Sequence, residues 1–215
     1  MEVVQLKRHI SPRKQKIRYI VIHDTGNTSP GAGATAHKRY FMTTDRKASA
    51  DFVIDEKKVI KLNDYTKYFT WHCGDGRGKY GITNSNSIGI EMCINNDGNY
   101  VKTVNDTIIL TYKLMRELNI DLDHVVRHYD ASRKHCPGSM MPNNWLKWID
   151  FKKALALFIE EEEAPDIVLI EYKGEKSFIE TINKDGYNYV KIRDLAKILN
   201  KEVRYTKDQV TLLDK

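Results

Sequence analysis

Residues 17–23 read Ile-Arg-Tyr-Ile-Val-Ile-His, and residues 87–94 read Ser-Ile-Gly-Ile-Glu-Met-Cys-Ile. The first run is β-branched, aromatic and nearly all apolar, as in a strand buried on both faces. The second alternates with period two: Ile88, Ile90, Met92 and Ile94 share one face, and Gly89, Glu91 and Cys93 share the other. Such strands belong at the centre of a covered sheet.

Working outward, residues 24–33 (Asp-Thr-Gly-Asn-Thr-Ser-Pro-Gly-Ala-Gly) carry loop chemistry. Residues 35–43 read as a short helix, and 50–55 and 58–62 as two strands around a charged turn. Residues 105–118 place Ile108, Ile109, Tyr112, Met115 and Leu118 at helical spacing. A short strand at Val125 and Val126 runs into Arg127 and His128. Residues 145–159 put Trp145, Trp148, Phe151, Leu155, Phe158 and Ile159 on one helical face, most simply as core. The composition then shifts. Four glutamates at 160–163, followed by Ala-Pro-Asp, read as a helix end and a linker over 160–166. Beyond it, strand-like stretches at 167–172, 177–182 and 187–192, a turn at 183–186 and a short helix at 193–200 make a small module. The expected fold is α/β, a mixed central sheet flanked by helices over residues 1–159. A small C-terminal α+β module over 167–215 follows, too small to be very stable alone.

The 215 residues are 41% hydrophobic and 30% charged, ordinary for a folded globular protein. No apolar run approaches the roughly 20 residues of a membrane span, so none is expected. Residues 1–8 hold no apolar core of a secretory signal. The net charge of +6 favours an acidic polymer. Nucleic acid, anionic lipid and bacterial wall all qualify; no nucleic-acid motif is recognised, and none is expected as a partner. Three cysteines, an odd number, argue against a disulfide framework and leave at least one thiol free.

His23 closes the first strand, His128 follows a strand, and Cys136 lies eight residues later. Two imidazoles and a thiolate are zinc ligands, and three protein ligands leave the fourth position open for water, as catalytic zinc requires. Taken singly, each is equally a satisfied polar residue or a small buried hydrophobe, so spacing permits a metal site without deciding it. Glu91 stands mid-strand among apolar residues, where a carboxylate is either ion-paired or working. Lys134, two residues before Cys136, faces the same cavity or is an exposed charge on a basic loop.

Five ordered segments carry a resemblance. They are Ile-Arg-Tyr-Ile-Val-Ile-His-Asp-Thr-Gly at 17–26, Ala-Ser-Ala-Asp-Phe-Val-Ile-Asp at 48–55, Trp-His-Cys-Gly at 71–74, Asn-Ser-Ile-Gly-Ile-Glu at 86–91, and His128 through Lys134-His135-Cys136-Pro137-Gly138. Together they resemble the N-acetylmuramoyl-L-alanine amidase family (amidase type 2) related to T7 lysozyme and the peptidoglycan recognition proteins. The resemblance covers residues 17–138 and none of the last 50 or so. It implies that His23, His128 and Cys136 bind Zn2+, that Glu91 is the catalytic carboxylate and that Lys134 stabilises the oxyanion. Bacterial peptidoglycan would be the substrate, cut between N-acetylmuramic acid and L-alanine. His72 and Thr25 would contact substrate, and Asp24 and Arg127 adjoin ligands. Some relatives carry a catalytic Tyr where this chain has Ala50, which shifts the burden to Glu91. Inactive recognition proteins typically lack the cysteine, so Cys136 favours an enzyme over the alternative, a non-catalytic peptidoglycan-binding protein. The stretch 186–196 resembles small wall-associated modules, which implies wall binding or self-association into a homo-oligomer. With no signal recognised, the expectation is a phage endolysin made in the bacterial cytoplasm and released onto the wall, or an autolysin exported by another route.

Overall fold

A computed structural model of the chain describes residues 1–184, 186–206 and 209–214, residue 184 by its backbone only. It divides into two compact units, Met1–Ile159 and Glu160–Lys215.

The first unit is built on strands β1 (Glu2–Val3), β2 (Ile10–Pro12), β3 (Tyr19–Asp24), β4 (Phe52–Ile54), β5 (Val59–Lys61), β6 (Tyr68–Thr70), β7 (Ser87–Met92) and β8 (Val125–Arg127). Six form a mixed sheet in the order β1-β5-β4-β7-β3-β8, while β2 and β6 pair separately. β7 runs parallel to both of its neighbours, and β8 runs parallel to β3. β4 and β5 form the antiparallel pair expected around the charged turn. The helices are α1 (Ala34–Thr43), α2 (Tyr100–Leu118), α3 (His128–Ser132) and α4 (Pro142–Glu163).

Alternation along the central strands divides the unit into two cores. Ile20, Ile22, Ile88, Ile90 and Met92 pack with Ile108, Leu114 and Met115 of α2 and Trp148, Phe151 and Leu155 of α4. On the other face, Val53, Ile60 and Cys93 meet Phe41 and Ala34 of α1, and Val21 meets Cys73, Ile82 and Ala131. Asp55 fixes the start of α1, its Oδ2 accepting from the Ala34 amide at 2.7 Å.

Several elements depart from the sequence expectation. α2 starts at Tyr100, five residues before the expected start at 105, because the Asn99 side chain caps it by accepting from the Lys102 amide. Residues 128–132, for which no helix was anticipated, form α3. α4 runs through the glutamates to Glu163 and β9 starts at Asp166, while the two units divide at Glu160, where the expected linker over 160–166 begins.

The second unit has an antiparallel sheet in the order β11-β10-β9, from β9 (Asp166–Tyr172), β10 (Glu175–Lys184) and β11 (Tyr187–Val190). Helix α5 (Ile192–Ile198) and a hairpin of β12 (Lys201–Tyr205) and β13 (Val210–Asp214) follow; that hairpin was not anticipated. The turn expected at 183–186 includes residue 185, which lies outside the described residues. Among the described residues of this unit only Ile179, Thr181 and Ala196 are buried. Among the described residues of the whole chain, no helix is long and apolar enough to cross a membrane.

Leu155 is fully buried against the sheet. Leu155→Ala should lower the unfolding free energy of the first unit by roughly 2–5 kcal/mol, measured by urea unfolding with tryptophan fluorescence. A loss below about 1 kcal/mol would mean that α4 is not part of that core.

Candidate metal centre and groove

β3, β7 and β8 point their carboxyl ends the same way, and the candidate residues gather there. His23 stands at the end of β3, directly opposite Glu91 of β7 in the parallel register. His128 opens α3 immediately after β8. Cys136 follows α3 in a loop anchored at both sides. Its amide donates to the Lys134 carbonyl and its carbonyl accepts from the Tyr129 amide. Asp24 Oδ2 accepts from the Ser139 amide at 2.6 Å, tying the loop to the end of β3.

His23, His128 and Cys136 are buried, and one potential ligand atom from each lies within 4.8 Å of the others. Cys136 Sγ is 3.7 Å from His23 Nδ1. His128 presents its Nε2 to Asp75 Oδ1 at 2.8 Å. A carboxylate only accepts, so that nitrogen carries the hydrogen. His128 Nδ1 is then a bare lone pair, buried with no hydrogen-bond partner. A neighbouring helix sets the Asp75 contact: Gly76 lies so close to α3 that a Cβ there would sit 2.0 Å from the Ala131 carbonyl oxygen.

Burial governs the protonation of the cluster. It holds His23 well below the ordinary imidazole range, with His128, His72 and Lys134 adding to the effect. It also lowers His128, against the opposing pull of Asp75. Burial pushes the Cys136 thiol up, and the Glu91 charge adds to this. Two neutral imidazoles beside a thiol form a donor set that a cation would complete.

Glu91 is half-buried, but its Oε2 is sealed from solvent and has no hydrogen-bond partner. Burial pushes its carboxyl up to about 8; Asp24 reinforces the shift and Lys134 opposes it. The ion-paired alternative for Glu91 finds no salt bridge among the described residues. Lys134 is exposed and lines the same groove, where its charge acts on His23, His128, Cys136 and Glu91.

The groove holds about 950 Å³ and is lined by Thr25, the 26–32 loop, His37, Tyr40 and Trp71 as well as the cluster. Thr25 reaches it with a buried Oγ1 that has no partner. His72 also reaches it but is buried, its Nδ1 3.0 Å from His23 Nε2. Ala50 is fully buried in the core beneath α1, so position 50 offers the groove no hydroxyl. Arg127 does not reach the ligands with its guanidinium, which pairs with Asp130 at 2.7 Å and covers the Trp145 ring at 4.3 Å. Sequence reasoning missed Asp75. Its only signal was its place between two glycines just after the Trp-His-Cys-Gly segment.

Known proteins resemble this chain in sequence and in fold. N-acetylmuramoyl-L-alanine amidase XlyA of Bacillus subtilis (strain 168) is 38% identical over 140 residues, covering 64% of this chain and 43% of that protein. CwlH, an amidase of the same name and strain, is 35% identical over 132 residues, covering 61% of this chain and 51% of its own length. The chain thus spans about half the length of these relatives. Among solved structures, a mutant endolysin from Bacillus subtilis superposes with a TM-score of 0.63 at 34% identity, covering 72% of this chain and 98% of that one. The catalytic domain of XlyA gives 0.61 at 34% identity, covering 72% and 99%. The family pattern described as N-acetylmuramoyl-L-alanine amidase matches residues 13–139, more than half of the chain and every residue of the cluster, and the chain belongs to that family.

Proposed function

We propose that the chain hydrolyses the amide bond between N-acetylmuramic acid and L-alanine in bacterial peptidoglycan, with Zn2+ held by His23, His128 and Cys136. The observation that carries this reading is the buried cluster of three donors opposite a carboxyl with a free oxygen, at the floor of a groove. The donors suit zinc: tetrahedral coordination at ordinary bond lengths sets a nitrogen and a sulfur ligand about 3.5 Å apart, close to the observed 3.7 Å between His23 Nδ1 and Cys136 Sγ. Zinc held there supplies Lewis-acid chemistry, polarising a carbonyl oxygen and acidifying water.

The remaining work falls to this chain's own groups. Glu91 Oε2, which has no hydrogen-bond partner, takes a proton from the attacking water and returns one to the departing L-alanine nitrogen. Lys134 sets a positive charge beside the oxyanion that forms between those transfers. Thr25 Oγ1 offers the bound stem peptide a hydrogen bond from the groove wall. The names of the relatives support the bond that is cut, and the similar structure named an endolysin supports that role; on this reading the protein is made in the bacterial cytoplasm and released onto the wall. We assign the second unit to wall attachment first and to self-association second.

Three outcomes follow from this reading. Purified protein should hold about one zinc per chain, and Cys136→Ser should lose most of it by elemental analysis; full occupancy in the variant would remove Cys136 as a ligand. Glu91→Gln should keep the fold and the metal while losing on the order of a hundredfold or more in turnover; near-normal release of muropeptides would remove Glu91 from the chemistry. A fragment ending at Glu163 should cleave soluble muropeptides like the full chain but attack intact walls more slowly, because it lacks the second attachment. Equal rates on intact walls would rule out targeting by the second unit, and a folded, metal-loaded fragment inactive on muropeptides would place part of the site beyond residue 163.

A further inference from the structure

His72 lies in the third marker segment, on the groove wall, where a substrate contact was expected. Its surroundings point elsewhere. The ring is buried, with both nitrogens already engaged by the protein: Nδ1 is 3.0 Å from His23 Nε2, and Nε2 is 3.0 Å from Ser87 Oγ. The loop that carries it is pinned from behind, since Asn84 Oδ1 accepts from the amides of both His72 and Cys73. The ring also occupies the space where a Cβ of residue 89 on β7 would stand. A Cβ at 89 would lie 2.7 Å from His72 Cγ and 2.8 Å from its Nδ1.

The hydrogen bonds have one direction. Ser87 has a single hydroxyl hydrogen, and it goes to the Thr83 carbonyl oxygen at 2.5 Å, which only accepts. Ser87 Oγ must therefore accept from His72, so the His72 hydrogen sits on Nε2. A neutral imidazole with its hydrogen on Nε2 has an acceptor at Nδ1. His23 must then donate from its own Nε2, which leaves the His23 lone pair on Nδ1, the nitrogen beside Cys136 Sγ. Reversing the chain would leave Ser87 Oγ with no hydrogen for Thr83.

We infer that His72 is a positioning residue: through the relay Thr83–Ser87–His72 it fixes the tautomer and ring orientation of His23, so that Nδ1 is presented to the metal. It does for His23 what Asp75 does for His128, with a neutral relay in place of a carboxylate. Partners of this kind typically change metal affinity by 10–100-fold when removed. The inference rests on the proposal that His23 is a ligand.

The test has two readouts, and only one needs the metal. Long-range 1H–15N spectra of the metal-free full chain should show His23 as the Nε2–H tautomer. Ser87→Ala should convert this to a mixture, because His72 is then free to reverse. In chelator competition, His72→Ala should bind zinc about 10–100-fold more weakly, and His72→Asn, which restores an acceptor near the Nδ1 position, should recover much of that loss. Three results would overturn the inference: a wild-type His23 tautomer on Nδ1, a tautomer unmoved in Ser87→Ala, or a His72→Ala variant with unchanged zinc affinity and only a raised KM on muropeptides. That last result would return His72 to the substrate wall. If His72→Ala fails to fold, the Ser87→Ala spectrum still decides. If the wild type binds no zinc, the ligand assignment fails, and the tautomer measurement still judges the relay separately.

Discussion

The parallel pairing of β3 with β7, His23 opposite Glu91, is the constraint on which the rest depends. Side chains on a strand alternate between faces, so this register makes two assignments at once. It sends Ile20, Ile22, Ile88, Ile90 and Met92 into the core under α2 and α4. It also sends Val21, His23, Gly89 and Glu91 to the opposite face. A slip of one residue in either strand would drive a histidine or a carboxylate into that apolar core and expose an isoleucine in exchange. The apolar core therefore holds the polar site in register, although none of its side chains reaches the groove.

Burial then acts on the site with opposite signs. It disfavours the charged form of every group, so His23 and His128 are held as neutral lone-pair donors while Glu91 and Cys136 hold their protons more tightly. Alone, such a cluster is incomplete: His128 Nδ1, Glu91 Oε2 and Thr25 Oγ1 are all sealed from solvent without partners. Folded proteins rarely leave three such atoms unsatisfied in one place. A cation among the donors and a polar substrate in the groove would satisfy them together. Asp24 has two effects here. It anchors the loop after Cys136, and its charge raises the proton affinity of Glu91.

Legibility in the sequence followed the range of the interactions involved. The central strands and the stripes of α2 and α4 were plain, because their period is written locally in consecutive apolar residues. β2 and β6 were not, because they pair across a long stretch of chain, Ile10 with Thr70, and no local turn marks the pair. Nor was the β12–β13 hairpin, since Lys-Glu-Val-Arg-Tyr offers little apolar alternation. The candidate ligands came from matching ordered segments to a family; spacing alone left them open. Asp75 escaped because its partner is 53 residues away and the approach depends on a glycine pressed against α3. His72 was expected on the groove and lines it, but its contacts with His23 and Ser87 were not legible, because a sequence does not say which nitrogen of a ring is already engaged. The period-two reading of residues 87–94 did hold the clue: Gly89 and Glu91 share a face, so the carboxylate's own strand leaves a gap one step behind it.

Every residue of the site lies between His23 and Cys136, inside the first unit and inside the span shared with the family. The site can therefore vary independently of the second unit, as is usual where a site is grafted on a fold. The second unit is a different kind of object. With three buried residues among those described, it has little core of its own, while Ile167, Leu169, Phe178, Ile182, Tyr187 and Tyr189 of its three-stranded sheet are exposed. Anything that binds only the folded form adds to its stability in proportion to the logarithm of ligand concentration over Kd. On the proposed reading, a wall or a second copy bound to this unit would add stability that its own core does not supply, whereas the first unit has a complete core of its own.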